Sequence, residues 1–314
     1  MNQRQVGIEL TRVTEAVAVA ASQFIGMGDE RELQQAARSR FAALLDQTGI
    51  GGTIAIGELE GGLLDGEICP GDTDQSLALK AVEGVSATAL GGRNAMTLFA
   101  VSDNGTFPTI PVGYMQKVVI PPWAKGVELT SPPAAFLHQL AAVKQVQPRE
   151  LRVVVMDRPR NQRLIEEIRA FGARISLIMD GDVAASLGIL TGASAADCLL
   201  GSGGAREAVF TAAAARACGN QFHGRFLVRN HDDEQLFLRY GFAADKLRDG
   251  FTAEDLAPGD ISFSATAITD SSTLRGIWYD AERIHTASLL FRSESGTIRQ
   301  ILSSRLRPVG DHHF

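Results

Sequence analysis

Apolar residues recur every three or four positions through the first part of the chain, the spacing that places side chains on one face of a helix. One such stripe consists of Leu10, Val13, Val17, Ala20 and Phe24. A second stripe follows Asp29 and Glu32, which have the form of a capping box, and it consists of Leu33, Ala37, Phe41 and Leu44. The pattern predicts two amphipathic helices, the first ending near Gly26 and the second near Gly49.

After Gly51-Gly52 the pattern changes to short apolar runs bounded by turn residues, which is typical of strands. The runs are residues 53–57 before Glu58, residues 77–79 before Lys80, and residues 95–101 before a turn at 103–105. Residues 134–146 again have helical spacing. We therefore expect a first half, residues 1–130, of helices followed by a sheet.

From Leu151 onward, predicted strands and helices alternate. The strands are 152–156, 174–179 and 197–200, and the helices are 161–171, one after Asp182 and one from about Arg206. Three further strands are predicted at 261–268, 286–291 and 297–303. Alternation of this kind predicts an α/β layered unit over residues 131–314.

Composition excludes several classes of protein. The chain has 314 residues, 45% of them hydrophobic and 21% charged, with a formal net charge of −6, which is ordinary for a globular protein. No apolar run approaches the roughly 18 residues of a membrane span, and the N-terminus lacks the pattern of a secretory signal. We expect a cytoplasmic protein with no membrane partner.

The acidic balance and the 6% content of aromatic residues argue against a nucleic-acid partner. The three cysteines, Cys69, Cys198 and Cys218, lack the spacing of a zinc site or a redox dithiol. They are predicted to be reduced and mostly buried thiols.

Three polar motifs follow successive predicted strands, and ligands of α/β sheets bind at the carboxyl ends of strands. Gly201-Ser202-Gly203-Gly204 is either a phosphate-binding turn or simply a tight turn. Arg158-Pro159-Arg160 offers two guanidinium groups for phosphate oxygens, or a solvated pair. Asp180-Gly181-Asp182 offers acceptors for sugar hydroxyls, or a helix cap. Together the motifs suggest a phosphorylated sugar or polyol as ligand.

Hydrolysis of a phosphate monoester is among the slowest uncatalysed reactions and generally needs a divalent cation. Glu58, Glu83 and Glu207 each stand beside or near glycine at a strand end or in a first helical turn. Such carboxylates suit Mg²⁺ or Mn²⁺, although each glutamate taken singly is also compatible with a surface position.

Longer motifs run nearly from end to end. They are Arg12-Val13-Thr14-Glu15, residues 52–58, Tyr114-Met115-Gln116-Lys117, Arg158-Pro159-Arg160, residues 180–186, residues 203–207, residues 263–269 and residues 295–299. On these motifs the chain resembles the class II fructose-1,6-bisphosphatases, bacterial members of the inositol-monophosphatase-like, lithium-sensitive phosphatase superfamily.

The resemblance implies a layered α-β-α-β-α sugar-phosphatase fold, a divalent-cation site and hydrolysis of the 1-phosphate of fructose 1,6-bisphosphate. It also implies a symmetric homo-oligomer. The positions that match family metal ligands are Glu58, Glu83 and Glu207. The positions that match family substrate contacts are Glu83, Gly84, Tyr114, Arg158, Pro159, Arg160, Asp180, Gly181, Asp182 and Gly204.

Three positions depart from the family pattern. Gln34 and Lys80 stand where the family has aspartate ligands, and Val85 stands where it has a threonine hydroxyl. Glu83 is the expected catalytic residue that this chain keeps. It lacks the aspartate and threonine partners that the family has at these three positions. An ammonium close to a divalent cation is strongly repelled. We therefore expect Lys80 to occupy the place of a metal ion and to pair with Glu58 and Glu83.

Three interpretations stay open. The first is a degenerate homologue with a regulatory role, which binds a sugar bisphosphate while its metal-dependent hydrolysis is weak or lost, and which needs no metal if Lys80 replaces it. The second is an active Mg²⁺- or Mn²⁺-dependent fructose-1,6-bisphosphatase or sedoheptulose-bisphosphatase of carbohydrate metabolism and gluconeogenesis, with a rebuilt site. The third is a purely structural subunit.

The rebuilt site of the second interpretation needs new groups at all three positions. Asp29, Glu30 or Glu32 would replace the ligand lost at Gln34. Asp72 or Asp74 would replace the ligand lost at Lys80. Ser86 would supply the hydroxyl lost at Val85.

Overall fold

A computed structural model describes residues 3–71, 75–103 and 105–307. The helices are α1 (Gln3–Ser22), α2 (Glu30–Leu45), α3 (Val85–Ala89), α4 (Pro133–Lys144), α5 (Gln162–Phe171), α6 (Asp182–Leu190), α7 (Ala208–Ala217), α8 (His231–Arg239), α9 (Ala244–Asp249) and α10 (Ala253–Leu256). The first seven strands are β1 (Gly52–Ile56), β2 (Ile68–Cys69), β3 (Gln75–Glu83), β4 (Met96–Asp103), β5 (Tyr114–Val119), β6 (Arg152–Met156) and β7 (Arg174–Ile178). The others are β8 (Cys198–Gly204), β9 (Phe222–Phe226), β10 (Phe251–Thr252), β11 (Asp260–Ala267), β12 (Trp278–Tyr279), β13 (Arg283–Arg292) and β14 (Thr297–Leu306).

Two sheets contain these strands. In the first sheet the order is β12-β13-β11-β4-β3-β1-β2, with β14 also paired to β13. In the second sheet the order is β10-β9-β5-β8-β6-β7. Strands β6, β7 and β8 pair in parallel, whereas β5 pairs antiparallel with both β8 and β9.

The division of the chain between the sheets differs from the predicted division at residue 130. The second sheet takes residues 114–252, and the chain then returns to the first sheet for residues 260–306. The return occurs because β11 pairs with β4 over its whole length, from Asp260 opposite Asp103 to Ala267 opposite Met96.

Three apolar clusters hold five layers together. One cluster joins α1 and α2 to the outer face of the first sheet, a second surrounds α6 and α7 between the sheets, and a third packs α4 and α5 on the far face of the second sheet. Strand β4 shows how one sequence serves two layers, because Phe99 belongs to the outer cluster and its neighbour Leu98 to the central one. The predicted α-β-α-β-α architecture is confirmed.

Hydroxyl groups also fasten α1 to the first sheet. Thr14 Oγ1 lies 3.0 Å from Ser264 Oγ, and the hydroxyl of Thr266 donates to Thr14 at 2.8 Å. Thr266 Oγ1 in turn lies 2.8 Å from Ser288 Oγ. All four residues are buried, so a polar seam runs through the contact between helix and sheet.

The predicted start of α2 is confirmed, since the Asp29 carboxylate accepts the backbone N–H of Glu32 at 2.9 Å. In the described part of the chain, no helix has the length and apolar character needed to cross a membrane.

Candidate functional site

The loop after β1 carries Glu58. One of its carboxylate oxygens accepts the backbone N–H of Ala81 at 2.7 Å, and the side chain is buried. The neighbouring Gly57 donates its N–H to Asp65 at 2.7 Å. Glu58 is therefore held by β3 on one side and by its own loop on the other.

Arg206 fastens the same loop to the start of α7. Its guanidinium binds both oxygens of Asp65, at 2.6 and 2.7 Å, and donates to the carbonyls of Ile110 and Gly57 at 2.9 and 2.8 Å. The residue is only 8% exposed. The sequence pattern does not predict this role of the arginine, because its partners are distant in the chain.

The glycines of the Gly201–Gly204 motif are part of β8 and not a loop before a helix. Strand β8 continues to Gly204, which pairs with Tyr114 of β5. A side chain at Gly203 would overlap the carboxylate of Asp182, and one at Gly204 would overlap that of Glu207. Neither alternative, a phosphate-binding turn or a simple tight turn, describes this backbone, since the glycines lie in a strand and make room for two carboxylates.

Asp182 accepts a 2.6 Å hydrogen bond from the ammonium of Lys117, and this lysine is only 1% exposed. The alternative of a helix cap is wrong, because the N-cap of α6 is Gly181 and no side chain among the described residues caps the helix. Gly181 has a positive φ of 78° and lies so close to Asn94 that a Cβ would overlap it. The buried ion pair fixes the Asp180–Asp182 turn from the side of β5.

Glu83 ends β3 and is buried, and its Oε2 atom lacks a hydrogen-bond partner among the described residues. Burial raises its pKa well above the usual range, and the carboxylates of Asp182, Asp180 and Glu207 raise it further. Burial raises the pKa of Asp180 as well. Four acidic side chains therefore share one region between the sheets.

Lys80 faces the same region from β3. Its ammonium lies 3.9 Å from Oε1 of Glu207. The predicted pairing with Glu58 and Glu83 is wrong, because within the described residues the ion pair of Lys80 is with Glu207. Burial opposes ionisation of Glu207, but the charges of Lys80, Lys117 and Arg206 and a backbone hydrogen bond together outweigh it and lower the pKa of this carboxyl.

The three family departures, Gln34, Lys80 and Val85, line one cavity together with Glu58. Nowhere in the described ranges do three His, Cys, Asp or Glu side chains form a group that could hold a metal ion. Among the described residues, the carboxylates that line this cavity are Glu58 and Glu60.

Three of the proposed replacement groups, Ser86, Glu30 and Asp29, are engaged elsewhere. The hydroxyl of Ser86 donates to Glu30 at 2.7 Å, and Asp29 caps α2. Glu32 is exposed in the first turn of that helix. Asp72 and Asp74 lie outside the described residues.

The basic motif after β6 divides between two cavities. The guanidinium of Arg160 stacks over the Tyr114 ring at 4.2 Å, donates to the Ser202 carbonyl at 3.1 Å and lines a cavity of about 820 Å³. Arg158 lines a different cavity, of about 840 Å³, together with Asp180. Pro159 between them begins a short 3₁₀ turn. Arg160 and Arg158 therefore reach the acidic region from opposite sides of β6.

The five layers and the carboxylate- and arginine-bearing strand ends define a layered α/β protein of the sugar-phosphatase class. Residues 4–305 match the family model described as "Bacterial fructose-1,6-bisphosphatase, glpX-encoded".

Relatives cover almost the whole chain. The chain is 38% identical over 323 residues to "Fructose-1,6-bisphosphatase 1 class 2" of Escherichia coli (strain K12), with 96% of this chain and 95% of the relative covered. "Fructose-1,6-bisphosphatase class 2" proteins of Escherichia coli O6:H1 and Shigella flexneri match with the same identity and coverage. The chain belongs to the class II bacterial fructose-1,6-bisphosphatase family, a hydrolase family of carbohydrate metabolism.

Proposed function

We propose that this chain binds a sugar bisphosphate and that its metal-dependent hydrolysis is weak or lost. The observation that carries the proposal is the position of Lys80, whose ammonium lies 3.9 Å from Glu207 in the region where the family resemblance expects a divalent cation. Such a protein acts as a sugar-phosphate-responsive, regulatory member of its family.

Electrostatics support the loss of metal. At about 4 Å and an effective dielectric of about 20, a unit charge and a divalent ion of the same sign repel by about 8 kcal/mol. Lys80 and Arg38 both line the cavity that contains Gln34 and Glu58. A Mg²⁺ or Mn²⁺ ion there would have to overcome this repulsion with fewer carboxylates than the family pattern supplies.

The residues proposed for substrate binding form a connected set. Tyr114 pairs with Gly204 across β5 and β8, and Arg160 stacks on Tyr114. The carboxylate of Asp182 lies against Gly203 of β8 and accepts a hydrogen bond from Lys117. Guanidinium groups bind phosphate oxygens and carboxylates bind sugar hydroxyls, so this arrangement supports retention of a sugar-phosphate pocket.

The alternative is an active Mg²⁺- or Mn²⁺-dependent fructose-1,6-bisphosphatase, or a sedoheptulose-bisphosphatase, with a rebuilt metal site. The unpartnered Oε2 atom of Glu83 favours it, because a buried carboxylate oxygen needs a proton or a cation.

Phosphate release from fructose 1,6-bisphosphate, followed with malachite green in the presence of Mn²⁺ or Mg²⁺, distinguishes the two proposals. We expect turnover far below about 1 s⁻¹, the lower end of ordinary enzyme rates. Turnover at or above that rate would establish the active enzyme.

Thermal unfolding tests the pocket itself. A ligand that binds the native state raises the melting temperature by mass action. We expect millimolar fructose 1,6-bisphosphate to raise it in metal-free buffer, and Arg158→Ala with Arg160→Ala to remove the shift. No shift and no heat of binding for the native chain would favour a structural subunit.

We further propose that the chain forms a homo-oligomer in the cytoplasm. Leu302 and Leu306 on the outer strand β14 are about two-thirds exposed, which supports an interface on that strand. Light scattering on the purified chain measures the assembly.

A further inference from the structure

A cavity of about 380 Å³ lies beside the end of β1 and the middle of β3. Two cationic side chains line it, Lys80 from β3 and Arg38 from α2. Arg38 stands one helical turn after Gln34, so both face the cavity from the same side of α2.

Contacts with the described residues use little of the hydrogen-bonding capacity of Arg38. Its side chain is 11% exposed, and Nη1 donates to the Glu60 carbonyl at 3.1 Å. The carboxylate of Glu60 is 3.5 Å away but 76% exposed, so it is a weak counter-charge. Gly61 packs against the flat guanidinium, with an added Cβ only 3.5 Å from Nε. Because a guanidinium has five N–H donors, several remain for a ligand.

Lys80 has even fewer partners. Its only ion pair in the described part of the chain is the 3.9 Å contact with Glu207, which is longer than a hydrogen bond. The side chain is 22% exposed. An ammonium carries three N–H donors. In a half-buried position these donors need acceptor oxygens as hydrogen-bond partners.

The acidic groups of the cavity are better satisfied than the basic ones. One oxygen of Glu58 accepts the backbone N–H of Ala81, and Glu60 is mostly in water. The free donors of Arg38 and Lys80 therefore set the chemistry of the cavity, which favours an anion with several oxygens over a cation.

Glu207 lies between Lys80 of this cavity and Gly204 of the proposed sugar-phosphate pocket. One oxygen of Glu207 lies near Lys80, and the other occupies the space that the absent side chain of Gly204 leaves free. Gly204 pairs with Tyr114, on which Arg160 stacks. Contacts through Glu207 and Gly204 thus link Lys80 to Tyr114, the residue on which Arg160 stacks.

We propose that Arg38 and Lys80 form a phosphate subsite, which binds the second phosphate of the sugar bisphosphate by side-chain cations in place of metal ions. The subsite rests on the proposed function and explains how a bisphosphate is held without a divalent cation.

Isothermal titration calorimetry on the full chain in EDTA tests it, with fructose 1,6-bisphosphate and fructose 6-phosphate as probes. We expect the bisphosphate to bind at least tenfold more tightly. Arg38→Ala should weaken bisphosphate binding at least tenfold and leave fructose 6-phosphate binding unchanged. Lys80→Gln, on the opposite side of the cavity, should likewise weaken bisphosphate binding and spare fructose 6-phosphate binding. If one of the two variants does not fold, the other still tests the subsite.

Arg40→Ala is the matched control, because Arg40 is an exposed arginine on the same helix outside this cavity. It should change neither affinity. Equal affinities of the native chain for the two sugars, or an equal loss of both in Arg38→Ala, would overturn the subsite while leaving the sugar-phosphate pocket intact. If neither sugar binds the native chain, the proposed function fails and the subsite with it.

Discussion

The guanidinium of Arg206 forms two parallel hydrogen bonds with the carboxylate of Asp65, across 141 positions of sequence. Asp65 also accepts the N–H of Gly57. This bidentate pair joins the loop that carries Glu58 to the turn that carries Glu207. It therefore fixes the positions of these two glutamates relative to each other.

Replacing Asp65 by alanine should destabilise the fold. Arg206 would remain buried without a counter-charge, and the loss should lie toward the lower end of the roughly 3 to 5 kcal/mol seen for broken buried pairs, because Asp65 is partly exposed. Urea denaturation measures the change. Glu254→Ala, which breaks an ion pair with Arg216 on an exposed carboxylate, should cost less than about 1 kcal/mol, and equal losses would contradict the structural role of Asp65.

Lys117→Met should be more harmful, because it leaves Asp182 buried and unpaired. We expect a loss of about 3 to 5 kcal/mol in the free energy of unfolding. Adding Asp182→Asn should restore part of it, since the unpaired charge is then removed. A double variant as unstable as the sum of the two single variants would show that the pair is not coupled.

Thr14→Val keeps the shape of the side chain and removes one hydroxyl from the seam between α1 and the first sheet. Ser264 and Thr266 would each lose a buried partner, at a cost of about 1 to 2 kcal/mol. Chemical denaturation is the measurement. Thr53→Val, at an exposed position of β1, should cost almost nothing, and a similar effect of both changes would count against the seam.

Stability should fall at high pH. Burial raises the pKa of the Cys218 thiol to about 12 and that of Cys198 well above its usual range. Because these pKa values are higher in the folded state than in the unfolded state, the stabilisation is fully present below pH about 8.5, the ordinary thiol value. It is lost progressively as the pH rises toward 12. Urea denaturation at pH 8, 9 and 10 should show the decline, and Cys218→Ala should make it less steep.

Thiol labelling checks the same burial independently. At pH 8, Ellman's reagent should react slowly with Cys198 and Cys218 in the native chain. After unfolding it should react fast with all three cysteines. Fast reaction of Cys198 in the native state would contradict the structure.

Metal binding should return when the family groups are restored. Gln34→Asp, Lys80→Asp and Val85→Thr together replace a cation by two carboxylates and a hydroxyl in one cavity. Calorimetry should then detect Mn²⁺ binding, followed by a gain in phosphate release. Lys80→Ala is the control, since it removes the repulsion without adding a ligand and should bind Mn²⁺ far more weakly. A triple variant without Mn²⁺ binding would show that these three positions do not account for the proposed loss of metal.

The regular elements with strong apolar patterns were predictable from sequence. The stripes of α1 and α2 and the apolar runs of β4 and β6 lie where their spacing placed them, because burial on one or both faces leaves a direct record in the sequence. Strand β5 left no such record. Its buried Lys117 stands among the apolar Met115 and Val119, and a lysine is ordinarily a sign of the surface.

The site was predictable in its residues more than in its contacts. The motifs that contain Asp182, Arg160 and Gly204 do meet in one region. Their partners could not be inferred, since Lys117 and Arg206 bind carboxylates far away in sequence. The glycine run shows the same limit, because its pattern does not distinguish a turn that receives phosphate from a strand that makes room for side chains.

Strand β11 lies between β4 and β13, with Asp260 directly opposite Asp103. The chain between those two aspartates leaves the first sheet at one point and returns to the same point. As the polypeptide leaves the ribosome, β4 has an unpaired edge until β11 has been made, whereas the strands of residues 114–252 follow one another and can pair as they emerge. The second sheet should therefore assemble first. Because the folded second sheet shortens the flexible chain between β4 and β11, it lowers the entropic cost of pairing these two strands and closing the first sheet.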